Sequence, residues 1–318
     1  MASINASSND QLYLAYRFAG PSADLIVPAV ALYLVAFIGI MLNGTVLVVT
    51  VKSSSLRGSV NFLMALICFC ELVHQIGHTF FLYIPMIFAI NCGLMAMFCA
   101  AFDRLFAISL PFKHSSIFTK YKFPYLLGHL LICVIYGAFS LNYVLAYAFE
   151  NAGNPTTGFV AESLVGSVGN KFFAGTLLLS LCSIFCYIAI FVIIRYKNGV
   201  TQQTNTRVLR SLVIILSISI GGYSINPVIF QLLYASGYVF GHPIRNWQFE
   251  CFLATLLNAA AGSNAIVLYF SSTEYRQNFQ KEFRAMIERF GNRNAVQPIH
   301  LVNNVNKTKI TLTFVKSN

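Results

Sequence analysis

Glu71, His74 and His78 stand at offsets of three and seven, which on a helix aligns all three side chains along one face. A carboxylate beside two imidazoles four residues apart can ligate zinc. It can equally form a polar hub that hydrogen-bonds to neighbouring helices, with Asn43 as one partner. Three ligands on a single helix are a thin basis for a metal site, so the hub is the expectation, with no metal or other cofactor. Ionisable groups at mid-membrane depth cost roughly 2.5–3.5 kcal/mol each on an insertion scale, so Glu71 is expected to be protonated or sodium-linked.

Asp103-Arg104 closes the third apolar run. An Arg at such a place can be a topogenic charge alone. The adjacent Asp adds a second reading, in which it holds the guanidinium until a partner offers carbonyl acceptors. The stretch 195–210 contains no Asp or Glu, so no second lock on Arg104 is expected from there. Pro227, preceded by Asn226, removes a backbone hydrogen bond and kinks the sixth apolar run. In the seventh, Asn258, Ser263, Asn264 and Tyr269 supply hydrogen-bonding groups that would face a bundle. Gln231, Tyr234 and Asn258 are candidates to line a ligand pocket opening outward, although aromatics at such positions more often fill a core.

The elements that position these residues are seven apolar runs, near 25–51, 60–83, 86–110, 123–147, 172–194, 208–235 and 249–270. Each is long enough to cross about 30 Å of hydrocarbon, which takes about 20 residues. With 57% hydrophobic and 10% charged residues, the chain lacks the roughly 25% charge of an aqueous protein. The fold class is therefore an all-α membrane protein, a seven-transmembrane helix bundle. Its bases fall in alternate gaps. Arg17, Lys171 and Arg245 lie on one side, and the other 18 of the 21 Lys and Arg residues on the opposite side or in the tail. Loops rich in Lys and Arg stay cytoplasmic, so the amino end is expected outside and the carboxyl end inside.

Four segments follow: an extracellular stretch over 1–24, the bundle over 25–271, an amphipathic juxtamembrane helix over 272–290 and a disordered cytoplasmic tail over 291–318. Ser271-Ser272-Thr273-Glu274 reads as a capped helix start. Phe279, Phe283, Ile287 and Phe290 then recur at helical spacing among Arg and Lys, as in helices that lie in the membrane interface. Asn5, in Asn-Ala-Ser, is a glycosylation acceptor. The cysteines sit in apolar runs as packing residues, and no outer loop holds a pair to bridge. The net charge of +11 is spread over short juxtamembrane loops and a tail. It reads as attraction to anionic membrane lipid and not to nucleic acid.

Taken together, Asn43 in the first run, Asp103-Arg104 ending the third, Pro227 in the sixth and Asn264 to Tyr269 in the seventh resemble a rhodopsin-type G-protein-coupled receptor. Glu71-Leu-Val-His-Gln-Ile-Gly-His78 and Ser263-Asn-Ala-Ile-Val-Leu-Tyr269, continuing into Ser-Ser-Thr-Glu-Tyr-Arg276, are similar to nematode serpentine receptors of class Srsx. The resemblance extends over about 25–290. It implies a chemosensory receptor of the plasma membrane of sensory or other neurons. Such a receptor binds an extracellular small molecule or peptide and activates a heterotrimeric G protein. Carried over, Arg104 meets the G protein, Asp103 restrains it, and Asn264 and Tyr269 rearrange on activation.

The sequence departs from that pattern at three places. Only 33 positions separate Glu71 from Arg104, so two spans fit into 60–110 only with a near-absent loop around Tyr83–Pro85. The cysteine that ordinarily opens the third helix and its outer-loop partner are missing, and Ile266 stands where the seventh helix ordinarily has proline. These departures keep a truncated, non-signalling receptor among the alternatives. A channel or transporter is the other, but one span acid is a poor ion path and no internal repeat is evident. An intramembrane enzyme is not expected, since no Gly-x-Ser-Gly run or pair of span aspartates occurs. A retinal pigment lacks its lysine in 249–270.

Overall fold

The computed structural model describes residues 8–80, 82–150, 166–196 and 243–294, with parts of 214–232. Every regular element among these residues is helical. Six helices are long and apolar enough to cross a membrane. They are the first span Ala23–Lys52, the second Ser59–Phe80, the third Tyr83–Ser109, the fourth within Pro111–Glu150, the fifth Gly166–Tyr196, and the seventh, Pro243–Gly262 continued by Asn264–Ser271. The sixth apolar run falls largely outside the described residues, but 220–226 within it is helical. The chain forms two compact units, Met1–Phe279 and Gln280–Asn318.

Outward faces of the spans are apolar. Met41, Val51, Ile135, Phe185 and Phe191 are all exposed, whereas Asn43, Glu71, His74, Gln75, Asn258 and Asn264 are buried. Large exposed apolar faces with polar residues inside suit a hydrocarbon solvent. The third span is the central one. Along its apolar window 72% of residues are buried, against 17% in the first, fourth and fifth spans, and it packs against the second, fourth and fifth.

The second and third spans are joined only by Phe81 and Leu82. The expected turn at Tyr83–Pro85 is thus corrected by two residues, because Pro85 lies in the first turn of the next helix, where a missing N–H costs nothing. Leu82 N–H donates to Gly77 O at 2.9 Å. A Cβ on Gly77 would stand 3.1 Å from Leu82 O, so glycine makes room for the returning chain.

Two further segments differ from expectation. The polar amino-terminal stretch contains a helix, Ser8–Tyr16, which buries Leu12 and packs against Pro243–Gly262. The inner connection after the third span is helical from Pro111, a residue pre-set for a first helical position. Forty residues of straight helix would reach about 60 Å, twice the hydrocarbon thickness. The helix breaks at Tyr121 (φ −127°, ψ 37°), which separates the inner arm from the fourth span.

The seventh span breaks at Ser263, although residue 266 is Ile and not Pro. Gly262-Ser263 supplies the break instead, as Gly/Ser pairs do elsewhere. Ser263 Oγ bonds back to Ala260 O at 2.7 Å. At the same level the first and seventh spans touch backbone to backbone: a Cβ on Gly262 would stand 3.1 Å from Gly39 Cα, and one on Gly39 would collide with Gln75, 2.6 Å from its Cδ. Small residues at such crossings let membrane helices approach closely.

Beyond the seventh span, Ser272 Oγ accepts from Tyr275 N–H at 3.3 Å and caps the helix Thr273–Asn294, as the hydroxyl-rich sequence predicts. Tyr275 is buried and shares a hydrogen bond with Thr50 Oγ1 at 3.2 Å. Burial pushes its phenol above the ordinary tyrosine range, with the Thr50 bond opposing, so it stays neutral. Phe283, Met286 and Ile287 of that helix are exposed.

The Gly39–Gly262 contact yields a prediction. Gly39→Val should lower the thermal midpoint of the purified protein in lipid by an amount equivalent to about 1–3 kcal/mol, the usual cost of overpacking. Gly128→Val, at a glycine with nothing within 4 Å, is the control. Equal midpoints for the two variants would refute the close-contact role.

Candidate functional site

Two polar clusters lie inside the bundle. In the first, Asn43 Nδ2 donates to Gln75 Oε1 at 3.1 Å and to Ala261 O at 3.2 Å. Gln75 Nε2 in turn donates to Asn258 O at 3.3 Å. The acceptors on the seventh span are backbone carbonyls just before the Ser263 break, where the helical ladder no longer continues regularly. A carbonyl released in hydrocarbon needs a donor from a neighbour; Asn43 supplies one to Ala261 O, and Gln75 adds a bond to Asn258 O, which still lies within the helix.

Glu71 takes different partners. Tyr223 OH lies 3.0 and 2.9 Å from its two carboxylate oxygens, and His74 Nδ1 is 3.3 Å from Oε2. His74 Nε2 faces His78 Nε2 at 3.1 Å. The expected alignment of Glu71, His74 and His78 on one helix face is therefore present. The expected contact between Glu71 and Asn43 is not, because Asn43 meets the next polar position of that face, Gln75. Among the described residues no three His, Cys, Asp or Glu side chains converge as a metal site would need.

Asn264 is fully buried, and its amide makes no hydrogen bond among the described residues. The Cys68 thiol is its polar neighbour. Asn258 is fully buried too, its amide donating to Ala254 O at 2.9 Å, so it belongs to the inter-helix core and not to an open pocket wall. Tyr269 packs its ring near Phe270 and Phe279, at 5.4 and 6.3 Å between centroids. Asn5, Pro227, Gln231 and Tyr234 lie outside the described residues. All eight cysteines are free thiols.

The second cluster surrounds Asp103, 1% exposed. Its carboxylate accepts from Tyr125 OH at 2.6 Å, His114 Nε2 at 3.1 Å and Ser59 Oγ at 3.2 Å. Those donors come from the fourth span, the inner arm and the second span. Phe106, Phe118 and Tyr125 surround the His114 ring at 5.6, 6.2 and 6.0 Å. The expected clasp of Asp103 on Arg104 is corrected. Adjacent residues on a helix point about 100° apart, and Asp103 is occupied by three other donors. Arg104 Nε is shielded from water and has no hydrogen-bond partner among the described residues.

Sequence reasoning missed Gln75, Tyr223, Ser59, His114 and Tyr125. Gln75 was within reach, being one helical turn from Glu71. The other four carry no local signal, because each acquires its role from a tertiary contact.

Residues 78–283, more than half the chain, match the family described as serpentine type 7TM GPCR chemoreceptor Srsx. Comparison with curated proteins gives no match. The matched region holds Asp103, Arg104, Asn264 and Tyr269, while Asn43 and Glu71 precede it, so it begins later than the resemblance over 25–290 suggests. The family is one of receptors and not an enzyme class. With membrane-length helices enclosing a polar core and a match of this extent, the chain belongs to the Srsx family of serpentine 7TM chemoreceptors.

Proposed function

We propose that this receptor binds an extracellular small molecule or peptide and activates a heterotrimeric G protein at its cytoplasmic face. The amino end is outside and the carboxyl end inside, a reading supported by the split of 3 bases against 18. The receptor is a multi-pass protein of the plasma membrane. In this orientation Asp103, Arg104, the inner arm from Pro111 and the helix from Thr273 all lie at the cytoplasmic side.

The observation that carries the reading is Arg104. A guanidinium presents five N–H donors, and a shielded one without an acceptor is costly. Arg104 Nε is in that condition among the described residues. Carbonyls of a docking G protein would satisfy it. Asp103 supports the same event differently from the expected clasp, by fixing Ser59, His114 and Tyr125 and so the shape of the face around Arg104. Asn264 and Tyr269 are the seventh-span positions that rearrange. The exposed Phe283, Met286 and Ile287, beside Arg276, Lys281 and Arg284, suit a helix lying in the inner membrane interface. This reading keeps the four-segment division at 24, 271 and 290, with the ligand entering from the side that carries Asn5.

Two measurements test the proposal. With the receptor at the surface of reporter cells and a ligand panel applied, Arg104→Ala should lower G-protein output about tenfold or more at unchanged surface level. That corresponds to losing a charged hydrogen bond of roughly 1.5–3 kcal/mol. An Arg104→Ala receptor with full output would overturn the mechanism, and currents independent of G proteins would favour a channel. For topology, Asn5→Gln should abolish a glycosidase-sensitive gel shift. A tag at the amino end accessible only after permeabilisation would refute the orientation.

A further inference from the structure

The row Tyr223, Glu71, His74 and His78 is a continuous hydrogen-bonded chain, and family membership leaves it without a role. A phenol has one proton to give, yet Tyr223 OH stands 3.0 and 2.9 Å from the two oxygens of Glu71, so it is shared across a carboxylate. That carboxylate takes a further bond from His74 Nδ1 at 3.3 Å. The facing Nε2 atoms of His74 and His78, 3.1 Å apart, hold one proton between them, one ring donating and the other accepting. The chain runs from half-buried His78, one turn from the end of the second span, to Glu71 at 1% exposure.

We propose that this row is a proton-binding site, loaded through His78 and ending at Glu71, so that acid is itself a ligand of this protein. A proton added at the other nitrogen of His78 lets that ring release its Nε2 proton to Nε2 of His74. His74 then releases its Nδ1 proton to Oε2 of Glu71. The net change is uptake of one proton: both rings end neutral with exchanged tautomers, and the carboxylate becomes a carboxylic acid. The described sixth-span residues present only Tyr223, and on the second span itself the nearby titratable groups are the Cys68 and Cys70 thiols. The first span offers no acid or base between Tyr33 and Lys52, and the seventh none between Cys251 and Tyr269. The third has only Tyr83 and Cys92 before Cys99, Asp103 and Arg104 near its inner end.

Neutralising Glu71 removes the charge assistance from the Tyr223 bond, and charge-assisted bonds are roughly twice as strong as neutral ones. Acid thereby loosens the tie between the second span and the 214–232 stretch. The effect on signalling rests on the receptor reading, whereas the uptake of a proton does not.

Infrared difference spectroscopy of the full chain in lipid nanodiscs, titrated from about pH 8 to 5, reads the site directly. A carboxylic-acid carbonyl band should grow with acid in the wild type and be lost in Glu71→Gln. After a rapid pH drop, His78→Leu should acquire the band at least about tenfold more slowly. His78→Gln, which keeps a polar side chain, should show the same delay if the leucine variant folds poorly. A band unchanged across this range, or one persisting in Glu71→Gln, would overturn the site, and wild-type loading rates in both His78 variants would overturn its entry route. An intact titration in a receptor that never activates a G protein would count against the signalling reading alone.

Discussion

A carbonyl released inside hydrocarbon has nowhere to turn but to another helix, and the Ser263 break in the seventh span creates that demand. Ala261 O is met by Asn43, and Gln75 adds a bond to Asn258 O one turn earlier. Those two can reach only because Gly39 and Gly262 let the first and seventh spans touch at the backbone. Break, glycine contact and amide bridge depend on one another. A side chain on Gly262 would press on the Gly39 backbone and part the two spans, while one on Gly39 would displace Gln75, so each would disturb an amide bridge to the seventh span. The break arises without proline, so the Ile at position 266 is compatible with an interrupted seventh helix.

The second span supplies two neighbours from one face. Gln75 turns to the first and seventh spans, while Glu71 and His74 turn to Tyr223. Residues three and four apart on a helix sit one above another but diverge by several tens of degrees. That divergence lets a single stripe serve partners on different sides. An uncharged amide bonds the backbone carbonyls, whereas Glu71 takes the Tyr223 hydroxyl and the His74 ring as partners. The division also explains why Asn43 and Glu71 are not in contact. Asn43 is the only polar side chain that the first span buries at this level, and the broken helix claims it.

Much of the bundle was legible in the sequence, because hydrocarbon thickness sets a length that apolar runs either reach or miss. The near-absent turn between the second and third spans followed from arithmetic on 60–110, and the cap at Ser272 from its hydroxyl. The inner arm from Pro111 was not legible. Its sequence is half polar and sits between two spans, and Tyr121 gives no sign that a helix ends there. Ser8–Tyr16 was missed for a similar reason, since one buried leucine in a polar stretch makes no period. Within the sites, offsets along one helix were readable and the partners across helices were not. Glu71, His74 and His78 could be aligned by counting, but Tyr223, 152 positions from Glu71, is found only through packing.

Asp103 and Arg104 show where adjacency in sequence misleads. Neighbours in a chain invite pairing, yet a helix turns them to different sides, and each side has its own chemistry. On the side of Asp103 three donors converge from separate elements, so the acid acts as a structural clamp on the second span, the inner arm and the fourth span at once. On the side of Arg104 no acceptor is supplied to Nε by the described residues. Had the carboxylate held the guanidinium, the inner arm would have lost its anchor at His114 and the fourth span its anchor at Tyr125. Because it holds the arm instead, Nε of the base stays without an acceptor among the described residues. The rigid frame and the unmet donor are consequences of the same choice of partners.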